Sequence, residues 1–226
     1  MLVTKPLTQK DILYIAAKAP RAGLVKTRLG AAIGHEQAAT LYASFLRDLA
    51  ARFARAPFAL GWYVTPPDAW PELAPLVGAA GEARVLAQSE GDWTARQRAL
   101  FRGASRRGED RVILVASDSP QLTVETVTAA FRTLDRHEVV FGPTYDGGYY
   151  LIGMRGWHDV LQNTPMSTRT VLDDISARAA ASGLSVGWVE TMFDIDEAAD
   201  LPRLRRILAA RADLPATRAT FAAYRL

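Results

Sequence analysis

Short apolar runs alternate along this chain with longer stretches in which apolar residues recur every three or four positions. The runs Ile12–Ala17, Phe58–Val64, Ala83–Ala87, Arg111–Ser117, Glu138–Gly142, Tyr149–Met154 and Ser185–Val189 predict strands. The periodic stretches His35–Ala54, Asp92–Arg106, Val124–Leu134, Thr168–Ala181 and Ala198–Ala210 predict helices. In the first of these, Ala38, Leu41, Tyr42, Phe45, Leu49 and Phe53 fall on one face. Such alternation predicts an α/β fold, a mostly parallel sheet flanked by helices. One domain is expected over residues 1–226, with its core at about 11–210 and a C-terminal tail at 211–226. Phe221 and Tyr224 in that tail suit a docked terminal helix, with a dimer contact as the alternative, so the expectation is a monomer or homodimer. Ligands of parallel sheets gather at the carboxyl ends of the strands, and the loops there are where chemistry is to be sought.

Composition narrows the chemistry. Hydrophobic residues at 49% and charged residues at 23% are ordinary for a globular chain. The absence of cysteine excludes disulfides, thiolate-bound zinc and a cysteine nucleophile. Three scattered histidines, His35, His137 and His158, argue against a histidine metal site. Any metal would then be held by oxygen, which points to Mg²⁺ or Mn²⁺. A net charge of +3 spread along the chain, with no basic stripe interleaved with aromatics, argues against nucleic acid as partner. Met1–Asp11 lacks the apolar centre of a signal peptide and no run is long enough to span a membrane, so a cytoplasmic protein is expected.

Four loops carry candidate chemistry. Lys18-Ala19-Pro20-Arg21-Ala22-Gly23-Leu24-Val25-Lys26-Thr27-Arg28-Leu29 follows the first apolar run. Backbone N–H groups freed by Pro and Gly, with cations beside them, suit phosphate. The chain has 27 Lys plus Arg but only four lysines, and two of those four, Lys18 and Lys26, stand in this loop. Lys is a compact charge for phosphate oxygens, and Arg28 adds a planar fork. A solvated basic loop is the plain alternative, and it suits Lys18 and Arg21. Val25 before Lys26 excludes a Walker A loop, and no G-x-G-x-x-G follows the strand.

Ser117-Asp118-Ser119-Pro120 follows the fourth run. Asp118 is placed either to hold a hard cation or, with Ser119, to cap a helix beginning near Thr123. In Thr144-Tyr145-Asp146-Gly147-Gly148-Tyr149-Tyr150, Asp-Gly-Gly is a hairpin signal, and consecutive glycines also let backbone approach a ligand. In Phe193-Asp194-Ile195-Asp196, Asp196 suits a helix cap, whereas Asp194 with Asp118 suits a two-carboxylate cation site. Ser167-Thr168 opens a helical pattern, and capping is its default reading.

Together, and in this order, these motifs resemble a bacterial family of unassigned function. The family is glycosyltransferase-A-like and placed in the nucleotide-diphospho-sugar transferase superfamily; some members are labelled arsenosugar-biosynthesis glycosyltransferases. It looks related to phospholactate guanylyltransferases and to molybdenum-cofactor nucleotidyltransferases. The resemblance runs from about Ile12 to Leu208. It implies donor phosphates held by the first loop, Lys18, Gly23, Lys26, Thr27 and Arg28, with Lys26 and Asp118 carrying catalysis. It implies a Mg²⁺ or Mn²⁺ ion at Asp118, Asp194 and Asp196, and an acceptor facing Asp146, Gly147, Gly148, Tyr149, Ser167 and Thr168. The chain departs from the family pattern at Gly91-Asp92-Trp93-Thr94-Ala95-Arg96, where Gly-Asp-Leu-Gly-Glu-Arg is usual. Ala116 and Ser119 stand in a segment that usually reads Gly-Ser-Asp-Cys-Pro, and Met166 stands where Trp usually precedes Ser-Thr.

The function expected on this basis is metal-dependent transfer from a nucleotide-activated donor to a small-molecule acceptor. Glycosyl transfer from a nucleotide-diphospho-sugar ranks first. Nucleotidyl transfer from a triphosphate to a small phosphorylated or acidic acceptor is the alternative, and a catalytically silent nucleotide-binding protein is the third.

Overall fold

The computed structural model describes residues 10–78, 83–166 and 168–226. In chain order the first half comprises β1 (Asp11–Lys18), α1 (Thr27–Ile33), α2 (His35–Phe53), β2 (Ala59–Thr65), α3 (Trp70–Val77), β3 (Arg84–Ala87) and α4 (Trp93–Arg106). The second half comprises β4 (Arg111–Ala116), α5 (Val124–Thr133), β5 (Val139–Pro143), β6 (Tyr149–Arg155), α6 (Val171–Ala181), β7 (Val186–Trp188), a 3-10 turn (Ala198–Asp200), α7 (Leu201–Ala210) and α8 (Pro215–Ala223).

All the strands join one seven-stranded sheet in the order β3-β2-β1-β4-β6-β5-β7. Only β6 runs against the rest: β1 pairs in parallel with β2 and β4, and β5 with β7, while β6 is antiparallel to both β4 and β5. The mostly parallel α/β sheet expected from the sequence is therefore the observed one. Its strands are apolar at successive positions because both faces are covered. On β1, Leu13 and Ile15 pack with α1, α2 and α5, while Ile12 and Tyr14 pack with α4 and α6. Parallel strands put their carboxyl ends on one edge, so the loops after β1, β4, β5 and β7 share it.

Several boundaries differ from expectation. A short helix, α1, begins inside the first loop at Thr27, and Gly34 at φ 99° separates it from α2. The stretch Ala198–Ala210 divides into a 3-10 turn and α7, with Pro202 in the first turn of α7. The helix expected from Thr168 begins at Val171. Residues 215–223 form α8 against α2, and the buried Asp48 carboxylate accepts from the amides of Ala216 and Thr217 at 3.0 and 2.8 Å. The tail thus holds the docked helix anticipated for it.

Candidate active site

The chain leaves β1 through a loop that spends much of its own polarity. The amides of Lys18, Ala19, Arg21 and Leu24 donate to the Tyr42 hydroxyl, Thr65 O, Ala19 O and Arg21 O. Fewer N–H groups face outward than the Pro-Gly composition suggests. Gly23, at φ 75°, is exposed with open space around its Cβ position.

Lys26 ends this loop in the left-handed region, at φ 48° and ψ 44°, immediately before α1. A non-glycine residue there carries backbone strain of order 1–3 kcal/mol, which the surroundings must offset. Two ion pairs do so. The Lys26 Nζ lies 2.6 Å from Asp118 Oδ1 and 2.8 Å from Asp196 Oδ1, and its side chain is only 3% exposed. Arg28 reaches the other oxygen of Asp196 at 2.6 Å and is itself 67% exposed. The Ile195 amide donates to the Asp118 carbonyl at 3.0 Å, tying the loop after β4 to the loop after β7. Behind Lys26, the Tyr42 hydroxyl lies 2.8 Å from Ser117 Oγ, which donates to the Ala16 carbonyl at 2.7 Å. A carbonyl only accepts, so the proton order runs from Tyr42 to Ser117 to Ala16.

Electrostatics divide the carboxylates. Burial alone would lower the Lys26 pKa, but Asp118 and Asp196 outweigh it and the net shift is upward. Burial would raise Asp196, but Lys26 and Arg28 hold it below the usual range. Asp194 has no such partner among the described residues. Burial, then Asp196, then Asp118 and Asp146 raise it from 3.8 to about 6. Burial and the Asp118 charge push the Tyr42 phenol up to about 12, so it remains a hydroxyl.

These groups border a cleft of about 410 Å³. Lys18, Leu24, Val25, Lys26 and Thr27 form one wall, and Thr65, Gln88, Trp93 and Arg96 form the other. Asp118 and Asp196 lie in the same lining, with Ala16, Ala17 and Ala116 keeping the sheet edge low. Trp93 and Arg96 come from the first turn of α4, which Asp92 caps through the Ala95 amide at 2.8 Å. Arg96 is braced by Gly91 O at 3.0 Å and Gln88 Oε1 at 3.2 Å. A second cavity, about 190 Å³, shares Asp196 and is also lined by Arg28, Asp146 and Asp194.

The predicted residues therefore separate. Lys18, Lys26, Thr27, Asp118 and Asp196 share the cleft, and Arg28, Asp146, Asp194 and Asp196 share the neighbouring cavity. Asp118 and Ser119 cap no helix, because Thr123 caps α5 through the Thr126 amide at 3.1 Å. Asp196 is no cap either: Glu197 and Asp200 form the capping box of the 3-10 turn. Asp146 makes the hairpin turn, its Oδ1 accepting from Thr144 Oγ1 at 2.5 Å and from the Gly148 amide at 3.2 Å. Gly147 permits close approach to the chain itself, since a Cβ there would lie 2.0 Å from Arg169 O. Tyr149 turns inward: its hydroxyl donates to Gln97 Oε1 at 3.0 Å and lies 3.5 Å from Met166 Sδ. Gly147, Gly148 and Tyr149 line neither cavity. Thr168 is exposed before α6, and Ser167 lies outside the described residues. Sequence reasoning did not single out Tyr42, Gln88 or Arg96 for the site. The departure from family pattern at Trp93 is the sequence signal for that residue, and Arg96 keeps the pattern's Arg; nothing marks Tyr42, which reads as one more residue on an apolar helix face.

A family model described as "Uncharacterized protein conserved in bacteria (DUF2064)" matches residues 49–168, more than half of the chain. No curated protein matches the chain significantly in sequence. A solved structure from Desulfovibrio desulfuricans G20, provisionally assigned as a nucleotide-diphospho-sugar transferase, is 28% identical, with a TM-score of 0.86 over 96% of this chain and 98% of that one. The 4-diphosphocytidyl-2C-methyl-D-erythritol synthase of Anaerococcus prevotii DSM 20548 shares the fold at 12% identity, with a TM-score of 0.57 over 89% of this chain and 97% of that one. A CMP:2-keto-3-deoxy-manno-octonic acid synthetase, solved with CTP, does so at 14% identity and a TM-score of 0.51 over 88% and 99%.

Proposed function

The chain belongs to the bacterial DUF2064 family, and we propose that it is a transferase that takes a nucleotide-activated donor into the cleft between the β1–α1 loop and the first turn of α4. The observation that carries this reading is Lys26, held in a strained backbone conformation with its ammonium between Asp118 and Asp196 at the carboxyl edge of the sheet. The 28% identity to the Desulfovibrio protein over nearly the whole chain supports it.

In this reading Lys26 and the exposed Arg28 meet donor phosphates, and Asp196 orients both cations. Lys18 adds charge along the same wall. Trp93 offers a flat face, and Arg96 a braced guanidinium, to the rest of the nucleotide. The oxygen-only donor set suits Mg²⁺ or Mn²⁺ at Asp118 and Asp194. Asp194 supports such a cation: it lines a cavity with Asp146 and Asp196 and has no ion-pair partner among the described residues, and burial, then the neighbouring carboxylates, push it up to about 6. Among the described residues no three potential ligands are gathered as a metal centre. A Mg²⁺ ion held by one or two carboxylates would be completed by substrate phosphates and water. The ion would supply charge against the phosphate oxygens of the leaving group.

Glycosyl transfer ranks first, because Asp118 and Asp196 already offset Lys26 and reduce the charge left for a triphosphate. Nucleotidyl transfer is the second reading, supported by three cations, Lys18, Lys26 and Arg28, beside one loop. Incubation with nucleotide-sugars and with nucleoside triphosphates in Mg²⁺ separates them. Release of nucleoside diphosphate marks the first and pyrophosphate the second. Binding without turnover marks a silent nucleotide-binding protein, and absence of nucleotide binding contradicts the proposal.

A further inference from the structure

Beyond the smaller cavity the groove continues into a third space of about 370 Å³, lined by Tyr145, Phe193, Arg203, Arg206 and Ile207. The two cavities share Tyr145, Phe193 and Arg203, so they form one path starting at Asp196. Charge changes sign along that path. The end near the cleft is net acidic, lined by five carboxylates, Asp194 and Asp196 among them, against two guanidinium groups, Arg28 and Arg203. The far end holds two guanidinium groups and no carboxylate.

Those arginines are unspent. Arg203 and Arg206 stand three positions apart on α7, on one side of the helix, and both are exposed. The Arg203 guanidinium lies 5.4 Å from the Phe193 ring centroid, which fixes its place without using its N–H groups. Arg206 makes one long contact, Nε to Pro202 O at 3.4 Å. Neither forms an ion pair among the described residues, whereas Arg52, Arg98, Arg107, Arg111 and Arg211 all do. Tyr145, 72% exposed, stands over the same space.

We propose that Arg203 and Arg206 bind the anionic end of the acceptor, and that the acceptor is a small hydroxylated acid. The inference rests on the transferase reading of the neighbouring cleft. A neutral hydroxyl tolerates the acidic near end, where an anion would be repelled. A phosphate or carboxylate at the other end meets two guanidinium forks that can take it in bidentate fashion. Phe193, Tyr145 and Ile207 accommodate a short apolar body between the two.

Calorimetric titration at low salt with sn-glycerol 3-phosphate, D-glycerate and glycerol tests this. One or both acids should bind the parent protein and glycerol should not; the stronger acid identifies phosphate or carboxylate as the recognised group. The double variant R203A/R206A should lose about tenfold or more in affinity for that acid. R205A, on the same helix but packed on Phe221, should retain it. Binding of neither acid, or equal binding by R203A/R206A and parent, overturns the proposal. Nucleotide binding to the parent is measured separately. Nucleotide binding without acid binding removes the acceptor site alone, and acid binding without nucleotide binding removes the transferase reading.

Discussion

At their first residues β1 and β4 carry Asp11 and Arg111, paired in register and both almost wholly buried. Beyond their last residues the same strands lead to Lys26 and Asp118, paired as closely but beside a cleft. The lower pair is closed. Arg111 Nε and Nη2 meet both oxygens of Asp11 at 2.6 and 2.9 Å, and Nη1 donates to Phe131 O at 3.1 Å. Glu109, at the same edge, accepts from Tyr14, Arg84 and Arg107. The upper cluster is open. Lys26 serves two carboxylates, a third carboxylate, Asp194, has no ion-pair partner among the described residues, and Asp118 remains 34% exposed. Buried charge that is matched locks an architecture; charge left imbalanced at a cavity is available to a ligand.

The contrast can be broken at its lower end. Arg111→Ala takes a charge partner from both Asp11 and Asp135, and about 3–5 kcal/mol of stability should be lost, read by urea unfolding. A loss under about 1 kcal/mol would show that the lower pair is not what locks the strands. At the upper end, Lys26→Ala should weaken nucleotide binding by about 1.5–3 kcal/mol, roughly 10- to 150-fold. Unchanged affinity in a folded variant would remove Lys26 from the phosphate site.

The smaller effects sharpen the comparison through pH. Asp194 is raised from 3.8 to about 6 by burial and neighbouring carboxylates. Between those values the folded chain keeps a proton that the unfolded chain has lost, so stability falls as pH rises through this window. Asp194→Asn should therefore be more stable than the parent above about pH 7, by of order 1 kcal/mol after allowance for solvent screening, and not below about pH 4. Asp196, held low by Lys26 and Arg28 despite its burial, has the opposite sign. Asp196→Asn should lose stability above the ordinary carboxylate range and match the parent in acid. Thermal unfolding of both variants across pH checks the pair; parallel curves would contradict the assigned electrostatics.

The central strands were legible in the sequence because burial on both faces writes itself as continuous apolar runs, as in Ile12–Ala17, and the partly exposed edge strands β3 and β7 were legible as shorter apolar runs. Helix α1 was not, because Gly23, Gly30 and Gly34 punctuate its surroundings and it spans only Thr27–Ile33. The Asp-Gly-Gly hairpin was legible as a local turn between β5 and β6. Partners far apart in sequence were not. Lys26 and Asp196 are 170 residues apart, and nothing near either one announces that Asp196 serves Lys26 rather than a helix. Tyr149, at the start of β6, reads from the sequence as available to a ligand, but Gln97 on α4 takes its hydroxyl. Trp93 stands out in the sequence only as a departure from a pattern, and its place on the cleft wall depends on how α4 packs.

In the proposed function the open cluster binds a nucleotide together with a divalent cation. Calorimetric titration of a nucleotide-sugar into the parent and into Asp118→Asn, each with and without Mg²⁺, tests it most directly. Mg²⁺ should tighten nucleotide binding to the parent, and Asp118→Asn, still folded, should lose this enhancement. The same enhancement in both proteins would show that Asp118 only neutralises Lys26, and would contradict the account.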